Sequence, residues 1–200
     1  MNGAYNTFEA SLARVRSIHA LHASISVSAT PIADHTDLLR AEIVLLVSAL
    51  DQFIHELTRI GMLDIWNGTR SATDAHNRFQ MSLETAKALL SSPGTDSHLD
   101  NEIRLRHGFL AFQHPDKIAD AIRLISSIEL WNEVGALLGE PPADVKAQLK
   151  LLAERRNKIA HEADVDPSYP GLRWPIDRND AELATELIGN IGVAIYLLVL

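Results

Sequence analysis

Apolar positions recur at helical spacing along nearly the whole chain, and no segment shows the strict alternation of a half-buried strand. Phe8, Leu12, Val15, Ile18 and Leu21 or His22 predict a first helix that ends before Pro31. Thr36 or Asp37 caps a second helix over 38–60, stopped by Gly61. Its apolar face runs through Leu39, Ile43, Leu46, Val47, Leu50, Phe53, Ile54 and Leu57, which leaves Glu42 on the surface. Residues 64–73 have no period and predict a loop. A third helix over about 75–91 uses Phe79, Leu83, Ala86, Leu89 and Leu90 before Pro93-Gly94 breaks it. Leu99, Ile103 and Leu110 suggest helix within 96–112, and His114-Pro115 opens a short helix to about Ile125. A further helix over 128–138 is ended by Gly139. Pro141-Pro142 then turns the chain into a helix from about Ala143 to Ala163, with Val145, Leu149, Leu152, Ile159 and Ala163 on one face.

Residues 166–175 are rich in proline and lack period, which predicts a long binding or covering loop. In it Tyr169 and Trp174 either stack on a base or dock on the core. Asp177 or Asn179-Asp180 caps a last helix over 181–200, apolar almost all round at its far end. That end has to be buried by the domain, by a second copy or by further sequence. The fold class is therefore all-α: a single-domain helical bundle of about six to eight helices, with residues 1–30 as an N-terminal helix.

Composition narrows the chemistry. Two hundred residues that are 46% hydrophobic and 22% charged suit one globular domain with a sizeable core. The absence of cysteine removes disulfides, thiolate metal sites and cysteine nucleophiles, and suits a cytoplasmic setting. No basic start followed by an apolar run marks a secretory signal, and the greasy stretch 187–200 is short for a bilayer span, so no membrane role is expected. A net charge of −8 argues against a general nucleic-acid coat while leaving room for a local basic site. His19 and His22 stand three apart with no third ligand at helical spacing, so no metal is expected. His98, His107 and His114 read as surface or loop histidines.

One polar residue stands out. Arg156 falls in the apolar stripe of the penultimate helix, where a permanently charged guanidinium needs a buried carboxylate or an anion entering from outside. Asn157 and His161 lie one turn apart on the adjoining flank, with Lys146 and Lys150 beside them to supply a local positive field, or simply to pair with Glu154 and its neighbours. Arginine to grip a phosphate and histidine to move a proton are what RNA phosphodiester cleavage requires, since the RNA brings its own 2′-hydroxyl nucleophile. On a regular helix Arg156 and His161 project about 140° apart, so they converge either where the helix end relaxes or across a two-fold axis. On the second helix Arg40, Ser48, Asp51 and His55 share a flank, either as a solvated face or as a polar wall beside a site.

Arg156-Asn157-Lys158-Ile159-Ala160-His161 resembles the HEPN motif, in which a polar residue follows the arginine and a histidine closes the pattern. The segment from Leu39 to His55, with Arg40, Ser48 and Asp51, is similar to an early helix of the RiboL-PSP-HEPN subgroup, and Pro175-Ile176-Asp177 matches as well. The resemblance covers roughly 38–200, its middle third poorly. It implies a metal-independent endoribonuclease without cofactor, of the kind found in toxin–antitoxin, phage-defence or RNA-processing settings. It also implies a homodimer with a composite cleft and a possible antitoxin partner. By position Arg156 and His161 would be catalytic and Asn157 would assist them. Arg40, Ser48 and Asp51 would support, and Lys146, Lys150 and Lys158 would contact RNA. Some toxins of the superfamily carry a modifiable tyrosine two residues past the histidine; here that residue is Ala163. Two other classes stay open: a non-catalytic RNA or nucleotide binder, and a helical interaction module in which Arg156 is a buried ion pair, with Asp51 a candidate partner.

Overall fold

The computed structural model describes residues 1–28, 34–92, 94–169 and 171–200, and among them it is all helix and loop, without a strand. Among the described residues nine helices follow in order: α1 (Asn2–Ser28), α2 (Asp37–Trp66), α3 (Asp74–Asn77), α4 (Leu83–Ser91), α5 (Ser97–His107), α6 (Pro115–Arg123), α7 (Leu130–Leu138), α8 (Pro142–Glu162) and α9 (Arg178–Val199). The expected breaks at Pro31 and Pro93, and Pro170 in the late loop, lie outside the described residues.

The bundle is built on α2. Its apolar stripe is broad enough to serve several neighbours, and it packs against α1, α5, α6, α8 and α9. Leu46, Val47, Leu50, Ile54 and Leu57 are completely buried along it. Phe8 of α1 stacks on Phe53 of α2 with ring centroids 4.8 Å apart. Gly192 of α9 meets the same ring so closely that any β-carbon there would strike it.

Gly61 does not stop α2, which runs on to Trp66 through most of the first half of the expected loop. A β-carbon at Gly61 would lie 2.7 Å from Ile125 Cγ2, so the glycine is there for close approach inside a continuous helix rather than as a terminator. The third expected helix is also two pieces. Residues 78–82 are non-helical, and the Ser82 side chain accepts the Thr85 N–H at 3.0 Å to start α4 afresh. Gly139, at φ +70°, ends α7 as expected. Asp177 and Asp180 form a reciprocal capping box that opens α9.

The stretch 187–200 is short for a span, but α9 as a whole has the length and hydropathy to cross a membrane. One side of it is in the core, through Ala181, Ala184, Ile188, Ile191, Ala194, Ile195 and Val199. Its last turn is capped from within the chain: Arg70 donates to the Val199 carbonyl and, at 3.0 Å, to that of Ile125.

Candidate functional site

Two adjacent arginines near the end of α8 meet opposite fates. Arg155 donates to Asp164 Oδ2 at 2.9 Å and to the carbonyls of Trp174 and Pro175 at 3.2 and 3.1 Å. Arg40, from the start of α2, donates to the same Asp164 oxygen at 2.7 Å, to the Trp174 carbonyl at 2.8 Å and to Thr36 Oγ1 at 2.6 Å. Asp164 is fully buried. It follows Ala163, and both take the left-handed conformation (φ 58° and 52°), which ends the helix. Burial lowers the Arg155 pKa, with the Asp164 carboxylate acting in the opposite direction.

The carboxylate thus ties α2, α8 and the loop behind the motif into one unit. The loop is itself a pinned hairpin. Val165 and Arg173 form an isolated bridge, and the Trp174 N–H donates to the Asp164 carbonyl at 2.9 Å. Arg173 is held by Asp34, at 2.6 Å, and by Asp37.

Arg156 has no such partner. Val145, Leu149 and Ala153 are buried on its helix, and Leu152 and Ile159 pack partly into the core. Ala163, expected on the same stripe, is instead the exposed helix cap. Arg156 is partly buried, its Nε is sealed without a hydrogen-bond acceptor, and its Nη1 donates to Asn157 Oδ1 at 3.0 Å. Among the described residues no carboxylate pairs with it; Asp51 does not reach it. His161 and Asn157 are exposed, and no hydrogen bond joins Arg156 to His161.

Lys158 lies over the Trp174 ring at 5.0 Å, so one face of the indole already carries a cation. Tyr169 is exposed. Lys146 pairs with Asp116 at 3.1 Å and Lys150 with Glu154 at 3.8 Å, both at the surface, where such pairs exchange readily with solvent ions.

The polar residues of α2 do not act as one wall. Arg40 is about 16 Å along the helix from Asp51 and belongs to the Asp164 clamp. Ser48 returns its hydroxyl to the Val44 carbonyl at 2.8 Å. Asp51 accepts the Phe112 N–H at 2.5 Å and Gln113 Nε2 at 3.2 Å, fixing the turn between α5 and α6, with His55 Nε2 3.6 Å away. Ser48, Asp51 and His55 line a separate cleft of about 440 Å³ together with His107.

His107 is buried, not at the surface as its sequence context suggests, because α5 turns it onto Phe79 and Phe112. Burial, and to a smaller degree His55, push its pKa down to about 4. The unfolded chain takes up a proton below about pH 6.5 that folded His107 refuses, so stability should fall as pH drops from 6.5 toward 4. The loss should reach roughly 2–3 kcal/mol. Urea titrations over this range should show a flatter profile for His107→Leu. The carboxylates of Glu102 and Asp34, held near 2 by hydrogen bonds, act in a lower window, below the ordinary carboxylate values.

Glu42 is likewise not surface but completely buried. His19 Nδ1 lies 3.0 Å from its Oε2, and Arg178 Nε donates to His19 Nε2 at 3.1 Å. Burial raises the Glu42 pKa against the pull of His19. His22 is buried in the first helix where Leu21 is exposed. Among the described residues no three histidine or carboxylate side chains are placed to hold a metal ion.

Set beside known proteins, the chain matches the family model RiboL-PSP-HEPN over residues 9–191, which takes in most of α1 as well as all but the last turns of the region that the sequence resemblance covers. It belongs to the RiboL-PSP-HEPN family, and its all-α architecture is that of a HEPN domain. Membership places it among domains that serve as ribonucleases or nucleotide-binding modules. No curated protein and no solved structure matches it.

Proposed function

We propose that the chain is a metal-independent endoribonuclease, with Arg156 and His161 as its catalytic pair and Asn157 holding the arginine. The observation that carries this reading is Arg156 itself: a partly buried cation on an apolar helix face, with no counter-ion among the described residues, beside a neighbour that shares a buried carboxylate with Arg40. A guanidinium in that state gains most from a doubly contacted phosphate. In the proposed reaction the 2′-hydroxyl of RNA loses its proton and attacks the adjacent phosphorus. The bond to the 5′-oxygen breaks, and that oxygen leaves protonated, giving a 2′,3′-cyclic phosphate and a 5′-hydroxyl. His161 moves one of these protons while Arg156 stabilises charge on the non-bridging oxygens, each worth on the order of a hundredfold or more.

Because one helix holds the two side chains about 140° apart, the working site is proposed to form between two copies, Arg156 of one facing His161 of the other. Lys158, with Lys146 and Lys150 released from their surface pairs, would follow the RNA backbone. A cytoplasmic toxin, phage-defence or RNA-processing role, restrained by an antitoxin protein, fits such an activity. A non-catalytic RNA or nucleotide binder is the second reading, favoured by the lack of any link between Arg156 and His161 within one copy.

Incubating the purified protein with total RNA in EDTA separates them. Cleavage that leaves cyclic-phosphate ends, and that His161→Ala abolishes without shifting the melting temperature, is the expected result. RNA retention without cleavage would support the binder instead, and a monomer at micromolar concentration would remove the composite site.

A further inference from the structure

An open groove of about 680 Å³ lies between α8 and α9, bordered also by Leu138 at the end of α7. Its floor is apolar, and Leu151 and Leu183 on its two walls are 66% and 55% exposed. Leucines at that exposure on facing helices form a patch that water covers poorly. The polar rim is one-signed: Glu140, Asp180 and Glu186 line it, and the only cation among the lining residues is Arg155. That guanidinium is turned to Asp164, which it shares with Arg40, and three rim carboxylates outnumber it, so the groove presents an acidic edge around an apolar trough.

We propose that this groove binds an amphipathic helix from a basic partner protein, apolar face inward, with lysine or arginine flanks against Glu140, Asp180 and Glu186. The trough runs alongside two helices, which suits a helix laid in a groove better than an extended strand, for which no sheet edge exists among the described residues. A second copy is the poorer occupant. A two-fold interface sets a patch against itself, and here that would bring two acidic rims together.

The groove adjoins the motif only at its arginine, one turn from Leu152, and leaves the other flank free, since Gln148 and Arg155 project roughly opposite to Asn157. A helix can therefore occupy it while the motif flank is engaged elsewhere. Arg155 lines the groove and holds Asp164, three residues past His161, so an occupant touches the side chain that anchors the motif's exit. The proposal stands whether or not the chain cleaves RNA, because it is read out by binding.

The test uses a fluorescent leucine/lysine amphipathic peptide of about 18 residues, five helical turns, and a leucine/glutamate peptide with the same apolar face. Fluorescence anisotropy should show micromolar binding of the first and none of the second. Leu151→Gln combined with Leu183→Gln should weaken binding about tenfold or more with an unchanged melting temperature, since both leucines face solvent. Glu140→Gln combined with Glu186→Gln should weaken it and flatten its salt dependence. Equal binding of both peptides, or binding indifferent to the leucine pair, would overturn the proposal. So would sedimentation showing that the leucine substitutions split a dimer, since the groove would then belong to a second copy.

Discussion

Asp164→Ala is expected to lower the free energy of unfolding by about 3–5 kcal/mol, read as a shift of the urea midpoint at unchanged slope. The carboxylate is 1% exposed, and it meets Arg40 at 8% exposure and Arg155 at 23%. Removing it leaves two guanidiniums facing each other in a region with little water to screen them. Both keep carbonyl acceptors from the hairpin, Trp174 for each and Pro175 for Arg155, which holds the cost within that range. A smaller part of the loss, of order 1 kcal/mol, is backbone strain, because alanine tolerates the left-handed conformation at φ 58° less well than aspartate does. Asp164→Asn separates the two contributions. It keeps the backbone preference and loses only the charge, so it should retain that last fraction. Adding Arg40→Met to Asp164→Ala should recover part of the loss, since it removes one of the stranded cations. A destabilisation below about 1 kcal/mol for Asp164→Ala would mean that the hairpin is held by its backbone bonds alone.

What the sequence makes legible is what local chemistry decides. The stripes of α2 and α8, the left-handed glycine after α7 and the Asp177 cap of α9 all depend on residues within a turn or two of each other. Gly61, Glu42 and His107 are misread for one shared reason: their surroundings come from distant chain. Gly61 reads as a stop because the pattern cannot show Ile125 arriving against it. Glu42 reads as surface because its histidine partner lies 23 residues upstream on α1.

The motif region shows the same limit more sharply. Periodicity singles out Arg156 as the misplaced charge and passes over Arg155, yet Arg155 is the arginine that is tied in. Its carboxylate sits nine residues on, past a left-handed turn, and is shared with an arginine 124 residues away. The one available signal was weak: an aspartate directly after a helix end is among the few side chains that accept a left-handed backbone. Arg40 illustrates the converse. Its place on α2 is legible, but its company is not, because a flank 16 Å long can serve two unrelated clusters.

The two arginines give the sharpest contrast in the molecule. Arg156→Ala should cut RNA cleavage by a hundredfold or more while changing stability by no more than about 1 kcal/mol. It forfeits no ion pair, only a bond to the neighbouring Asn157, and it relieves a sealed Nε that has no acceptor. A hundredfold loss corresponds to about 2.7 kcal/mol of transition-state stabilisation, the size expected when a group aimed at developing charge is deleted. Arg155→Ala should do the reverse. It removes a hydrogen-bond donor from a buried carboxylate, which keeps Arg40, and frees two hairpin carbonyls, so stability should drop by about 1–3 kcal/mol, while cleavage by the molecules that remain folded should change little. Arg156→Lys should fall between Arg156→Ala and the unsubstituted protein in rate, because an ammonium keeps the charge without the paired donors. Initial cleavage rates, measured well below each variant's melting temperature, decide the matter. If the Arg155 variant loses activity and the Arg156 variant loses stability, the roles are exchanged and the phosphate-binding site has to be sought on the clamp.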